Sequence, residues 1–190
     1  MPESEPTDVE PAASASDGAA AAGAVRTFAV VDVDGVLADV RHRLHYLERR
    51  PKDWESFFAA APADPPLDEG FAVLRRLADG HELVYLSGRP ERLRHVTERW
   101  LADHDAPPGR VVLRRDGDRR PARQLKVGEL RRIGRTAPVA VLVDDDEAVC
   151  AAAAAAGFTV FRASWAIRDV AGDTAANRTL QAAQEQEGRT

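Results

Sequence analysis

Residues 27–39 read Thr-Phe-Ala-Val-Val-Asp-Val-Asp-Gly-Val-Leu-Ala-Asp, an apolar run that breaks into Asp32, Asp34 and Gly35. A short run that is apolar on both faces is what a buried parallel strand requires, and Gly35 permits a sharp turn directly after it. One carboxylate then stands at the strand end and a second just beyond it. Four more runs share this character: 82–86 (ELVYL), 110–113 (RVVL), 139–143 (VAVLV) and 158–161 (FTVF). Helical periodicity separates them: Phe71, Leu74 and Leu77; Leu93, Val96 and Trp100; residues 125–133; and residues 147–156, with Gly157 as the C-cap. Strand and helix alternate throughout, which predicts a Rossmann-like, three-layer α/β/α domain on a mostly parallel sheet.

The chain has 190 residues, a length that suits one such domain. We place it at residues 25–170. Residues 1–24 mix Pro, Glu, Ser and Ala with almost no bulky apolar side chains, the composition of a disordered tail. Residues 171–190 read as a polar tail or frayed helix, and neither end is expected to carry chemistry. No apolar run approaches the roughly 20 residues of a membrane helix. The first 20 residues hold neither Lys nor Arg and no apolar run, unlike a secretory leader, so the expected location is cytoplasmic. Cys150 is the single cysteine, which excludes an internal disulfide framework and a cysteine-based zinc site. The net charge of −5 comes from five acids in the first 20 residues and is otherwise balanced, so overall charge selects no partner.

In an open parallel sheet, ligands bind beyond the carboxyl ends of the strands. The first run leads there to Asp32 and Asp34, the second to Ser87-Gly88-Arg89 and the fourth to Asp144-Asp145-Asp146, while Lys126 opens the helix after the third. Crowded carboxylates repel, and without neutralisation one takes up a proton. A Mg²⁺ ion held by Asp32 and by Asp144, Asp145 or both resolves the repulsion, because Mg²⁺ favours a few carboxylates plus water and substrate oxygens. A phosphate completes that shell, with Ser87 as a hydrogen-bond donor and Lys126 as a point charge. Lys52 and Lys126 are the only lysines among 26 basic residues, so a compact ammonium has been retained in an Arg-rich chain.

Each piece alone has a plainer reading. A DxD is often a turn or a cap, Ser87 can cap a helix, and residues 144–146 can cap the helix that follows. Their joint occurrence, in order and each at an expected strand end, is what favours a site.

These residues resemble the haloacid dehalogenase (HAD) superfamily of phosphohydrolases: residues 32–37 its first motif, Ser87 its second, Lys126 its third, Asp144 and Asp145 its fourth. Ser87-Gly88-Arg89, the loop at residues 115–120 and Arg43 make the chain most similar to the phosphatase domain of polynucleotide kinase/phosphatases. That group often carries an acid four residues before its motif-three lysine, where this chain has Ala122. No P-loop segment is present. The resemblance implies catalysis by Asp32, Asp34 and Lys126, phosphate binding by Ser87, Gly88, Arg89 and Arg43, and Mg²⁺ ligation within Asp32, Asp34, Asp144 and Asp145. It implies attack by Asp32 to form an aspartyl-phosphate, with Asp34 as acid and then base.

The gaps between motifs, residues 40–66 and 90–124, are too short for a large cap domain. An open site follows, suited to a protruding phosphoester such as a nucleic-acid end or a nucleotide. Residues 110–135 hold ten basic side chains against three acids, a candidate path for a polynucleotide. His42 and His45 are read as lining the entrance or a solvated face, and Trp54, Phe57, Phe58, Trp100 and Trp165 as packing. Two other functions fit: a phosphatase of a small metabolite, and a receiver-like regulatory module. Receivers phosphorylate an Asp on a middle strand, whereas Asp32 follows the first.

Overall fold

The computed structural model describes residues 26–165 and 175–187. Five strands, β1 (Phe28–Val31), β2 (Glu82–Pro90), β3 (Gly109–Arg114), β4 (Val139–Asp144) and β5 (Val160–Arg162), form one sheet in the order β3-β2-β1-β4-β5. Every pairing is parallel. The expected strands are all present. β2 runs four residues further than its apolar core, through Ser87 and Arg89, and β5 starts two residues later than expected.

Side chains of β1 alternate between two cores, as strand geometry dictates. Ala29 and Val31 meet Phe71 and Leu74 of α3 (Asp68–Ala78) and Trp100 of α4 (Arg94–Asp103). Phe28 and Val30 meet Leu130 and Ile133 of α5 (Ala122–Ile133) and Val149 and Ala153 of α6 (Glu147–Ala155). The three layers are therefore helix, sheet, helix. β1 and β4 are adjacent, while the chain after β1 winds away on the β2 side, so the point where the winding reverses lies between Asp32 and Asp144.

A third apolar cluster sits at the carboxyl edge. The insert after β1 forms α1 (His45–Glu48) and α2 (Trp54–Ala59), whose Leu47, Trp54, Phe57 and Phe58 pack with Leu180 and Ala183 of α7 (Ala175–Glu187). Of residues 171–190, read as a polar tail or frayed helix, residues 175–187 are helical, with Leu180 and Ala183 buried on one face. The tail expected at residues 1–24 lies outside the described residues. No helix among the described residues is long and apolar enough to cross a membrane.

The turn after β1 is locked onto itself and onto α3. Gly35 donates to the Ala38 carbonyl, the Val33 carbonyl accepts from Leu37 and Ala38, and Leu67 at the start of α3 donates to the Leu37 carbonyl. Gly70 is what lets α3 approach so closely, because a Cβ there would stand 1.9 Å from the Val36 carbonyl oxygen. Gly70→Ala should therefore cost about 1–3 kcal/mol of overpacking and lower Tm by roughly 2–10 °C for a domain of this size. Gly80→Ala, with nothing within 4 Å of the added carbon, should leave Tm nearly unchanged. Thermal unfolding followed by circular dichroism compares the two, and equal melting points would show that this contact is not tight.

Candidate active site

Asp32 continues β1 and Asp144 ends β4, so the parallel register carries both carboxylates to the same edge. One carboxylate oxygen from each of Asp32, Asp144 and Asp145 lies within 4.8 Å of the others, and all three residues are buried. Lys126, on the first turns of α5, reaches in to donate to Asp32 Oδ2 at 2.5 Å and Asp144 Oδ2 at 2.8 Å. Asp32 Oδ1 accepts from the Val33 amide, which fixes the carboxylate plane. Gly35, at φ +82°, leaves the space the cluster needs: a Cβ there would fall 2.6–2.8 Å from the Asp145 carboxylate.

The three consecutive acids after β4 divide their work. Asp146 caps α6, accepting from the amides of Ala148 and Val149. Asp144 accepts from the Asp146 amide and faces Lys126, while Asp145 turns toward Gly35. The capping reading is thus right for one residue of the three.

Burial pushes the Asp32 carboxyl well above the usual carboxylate range, with Asp144 and Asp145 adding to the rise and Lys126 opposing it. Asp145 is pushed up to about 7, by burial first and then by Asp144. Lys126 is raised despite its burial, because Asp144 and Asp32 hold it protonated. One ammonium is too little positive charge for three carboxylates, which is the condition a bound cation relieves. Carboxylate oxygens at this spacing, joined by no thiolate or imidazole among the described residues, fit a hard divalent ion such as Mg²⁺.

Asp34 belongs to a second cluster. Arg89 Nε donates to Asp34 Oδ1 at 3.0 Å, Arg89 Nη2 to the same oxygen at 2.6 Å, and Arg43 Nη2 to it at 2.8 Å. Both guanidiniums also grip Asp64: Arg43 Nε at 2.7 Å from Oδ1, and Arg89 Nη2 at 2.8 Å from Oδ2. Arg43 packs over the Phe57 ring, 4.1 Å from its centroid, and both arginines are fully buried. Burial would raise the Asp34 carboxyl, but Arg89 and Arg43 outweigh it and hold it at about 2. The Asp34 side chain therefore faces arginines, and it is not in the group formed by Asp32, Asp144 and Asp145.

Ser87 is fully buried on β2, its hydroxyl oxygen accepting from the Arg89 amide, which leaves the hydroxyl proton to donate. Gly88 lies between them, also buried. Arg41 is paired with Asp39 and thus held outside the cluster. His42 Nε2 contacts Asp64 Oδ1 at 2.8 Å, a supporting position beside the arginines, while His45 points to its own helix turn.

Two contributors carried no sequence signal. Asp64 sits in Ala63-Asp64-Pro65-Pro66, a proline-rich return with no spacing to mark it, yet its carboxylate is what the two arginines share. Gln181 of α7 donates from Nε2 to Asp145 Oδ2 at 3.2 Å, across 36 residues of sequence.

The mouth is narrower than the short inserts imply. Asp32 is 5% exposed, Asp34 6% and Lys126 2%, since α7 lies against both α1 and α5. The basic segment 110–135 is not one surface either. Arg110 stacks on Phe28 at the far end of the sheet, Arg123 pairs with Glu185, and Arg120, Arg123 and Arg131 line a groove between α5 and α6. Of the segment's basic residues, Arg114, Arg115 and Arg119 line a second groove, of about 340 Å³, together with Asp116, Asp118, Trp54, Phe58 and Arg92.

A sequence model of the family described as the polynucleotide kinase PNKP phosphatase domain matches residues 26–165. Among curated proteins no sequence match is found. Solved structures agree on the fold. A chain of the Pnkp1/Rnl/Hen1 RNA repair complex superposes with a TM-score of 0.62 at 22% identity, over 74% of this chain and 43% of that one. A second structure of a Pnkp1/Rnl/Hen1 complex gives 0.59 at 24% identity, over 73% and 45%. The class C acid phosphatase of Bacillus anthracis gives 0.54 at 15% identity, over 84% and 78%. The chain spans less than half the length of the repair-complex chains. A domain whose strands carry Asp32, Ser87 and Asp144 to one rim, with Lys126 between the acids, and whose sequence matches over residues 26–165, belongs to the polynucleotide kinase PNKP phosphatase domain family, a group of HAD-type phosphatases.

Proposed function

We propose that the chain is a Mg²⁺-dependent phosphomonoesterase that works through Asp32 on phosphorylated nucleic-acid ends or nucleotides, in the cytoplasm. The observation that carries this is the triangle of Asp32, Asp144 and Asp145 with Lys126 donating into it. Asp32, Asp144 and Asp145 would hold the ion, which supplies charge neutralisation for phosphoryl oxygens and for the acids around them. Family membership and the RNA repair setting of the Pnkp1 neighbours support a nucleic-acid substrate.

The chain's own residues account for the chemistry. Asp32 bonds to phosphorus as the ester oxygen leaves, while Lys126 favours the ionised nucleophile against its burial and offers its ammonium to the transferring group. Ser87 donates its hydroxyl proton to a phosphoryl oxygen. Asp34 gives a proton to the leaving oxygen, then takes one from the water that splits the aspartyl-phosphate and frees Asp32. The arginine clamp holds Asp34 as the anion the second step needs. The proton for the first can enter with the phosphoester, whose second ionisation lies near pH ~6. Arg43 and Arg89 thus position Asp34, with Asp64 holding them in place.

The low exposure of Asp32 favours a second reading, a phosphatase of small phosphorylated metabolites. A receiver-like module shares acids and a lysine at strand ends, and β1 is central in the sheet, so position alone does not separate the two. Turnover does.

Asp32→Asn should abolish hydrolysis of p-nitrophenyl phosphate and of a 3′-phosphorylated oligonucleotide, as should excess chelator, because an amide is a poor nucleophile and a weaker ligand. Full activity in either case would overturn the mechanism. Asp34→Asn should keep Mg²⁺ binding, lose roughly 10²-fold or more in kcat, and melt at lower temperature, because two buried guanidiniums lose an anionic partner. Lost Mg²⁺ binding with unchanged chemistry would move Asp34 to the metal. For the substrate, kcat/KM for a mononucleotide and for a phosphorylated oligonucleotide should diverge across a salt series, the oligomer preferred and the steeper. Arg115→Ala with Arg119→Ala should remove part of that slope. Equal slopes and no preference for length would select the small-metabolite reading.

A further inference from the structure

The family match ends at residue 165, and α7 begins ten residues later, so nothing in the matched domain assigns this helix a role. It is not a loose appendage. Leu180 and Ala183 are 5% and 1% exposed, packed against Val40, Leu44, Leu47 and the aromatic residues of α2. On the opposite flank, Glu185 pairs with Arg123 of α5, the helix that carries Lys126. α7 thus bridges the insert that follows Asp34 and the helix that delivers the ammonium. Between these two anchors, Gln181 turns inward: its Nε2 lies 3.2 Å from Asp145 Oδ2 and 3.3 Å from the Asp145 backbone carbonyl.

We propose that Gln181 is a positioning residue for the cation site, its amide fixing the Asp145 carboxylate so that the other oxygen is presented toward Asp32 and Asp144. The two acceptors of the Gln181 amide belong to one residue, so the contact sets the orientation of the Asp145 side chain relative to its own backbone. Gly35 closes the other side, where even a Cβ would strike the same carboxylate. Asp145 is therefore held between a turn of the matched domain and a helix outside it. An outer partner that orients a ligating carboxylate is commonly worth 10–100-fold in metal affinity. An amide also suits the task better than a cationic partner, since it donates without competing with the ion for the carboxylate charge.

This inference rests on the Mg²⁺ reading above, and the test separates the two. Mg²⁺ binding is measured directly by calorimetric titration of the full chain, for the wild type, Gln181→Ala and Glu185→Gln, with Tm recorded for each without metal. The wild type should bind Mg²⁺. Gln181→Ala should bind it roughly 10-fold more weakly or worse, with kcat largely restored at saturating Mg²⁺ and Tm close to wild type. Glu185→Gln, which loosens the docking of α7 but keeps the amide, should retain nearly full Mg²⁺ affinity. Unchanged affinity in Gln181→Ala would overturn the inference alone. Equal losses in both variants, in step with a falling Tm, would also overturn it, by showing that docking of the helix and not the amide matters. A wild type that binds no Mg²⁺ would overturn the underlying reading, and this inference with it.

Discussion

Five carboxylates and three cations are buried together at one edge of the sheet, and the rest of the structure is arranged around that imbalance. Asp32, Asp34, Asp64, Asp144 and Asp145 face Arg43, Arg89 and Lys126, and all eight are 6% exposed or less. Moving a lone ion out of water costs several kcal/mol even after relaxation, so none of these groups can be buried without partners. With all eight ionised, the set carries two negative charges in excess. Under the proposed function, a divalent cation would offset that excess and give a phosphate a positive place to settle. Asp146, the sixth acid of the neighbourhood, is held differently, its Oδ1 accepting from the amides at the start of α6.

The imbalance is distributed unevenly, and that unevenness separates roles. Around Asp34 the charge is balanced: two guanidiniums face Asp34 and Asp64, and the Asp34 carboxyl stays ionised at about 2. Around Asp145 the charge is in deficit, and the carboxyl rises to about 7. Two aspartates with only Val33 between them, Asp32 and Asp34, thus sit in opposite electrostatic settings. Asp32 meets Lys126, while Asp34 meets Arg43 and Arg89. Arg43 and Arg89 direct most of their donors at Asp34 and Asp64, so their clearest effect in the structure is on the Asp34 carboxylate.

The sheet was legible because each strand is a compact apolar run followed by punctuation, and the parallel order follows from the helices between. The acids Asp32, Asp34, Asp144 and Asp145 were legible for the same reason: they fall where strands end, and strand ends converge, while Lys126 stood out as one of two lysines in an Arg-rich chain. What sequence could not supply is contact made across elements without a repeating pattern. Asp64 lies among prolines, and its importance appears only when Arg43 and Arg89 arrive from two other elements. α7 looked polar because, among its described side chains, the buried apolar ones are Leu180 and Ala183, with Gln184 buried beside them, too few to register against the Gln, Glu and Asn around them. The basic segment misled in the opposite direction. Ten charges close in sequence suggest one surface, but a strand, a loop and a helix turn them to different sides.

The central claim is that Asp32 is the nucleophile of a Mg²⁺-dependent phosphoryl transfer. Acid quenching of the Mg²⁺-loaded protein during turnover of p-nitrophenyl phosphate, followed by peptide mass spectrometry, tests it most directly. The account predicts a phosphoryl group on the peptide containing Asp32, absent in Asp32→Asn and absent when Mg²⁺ is chelated. A phosphoryl group on a different residue, or undiminished turnover by Asp32→Asn, would contradict it.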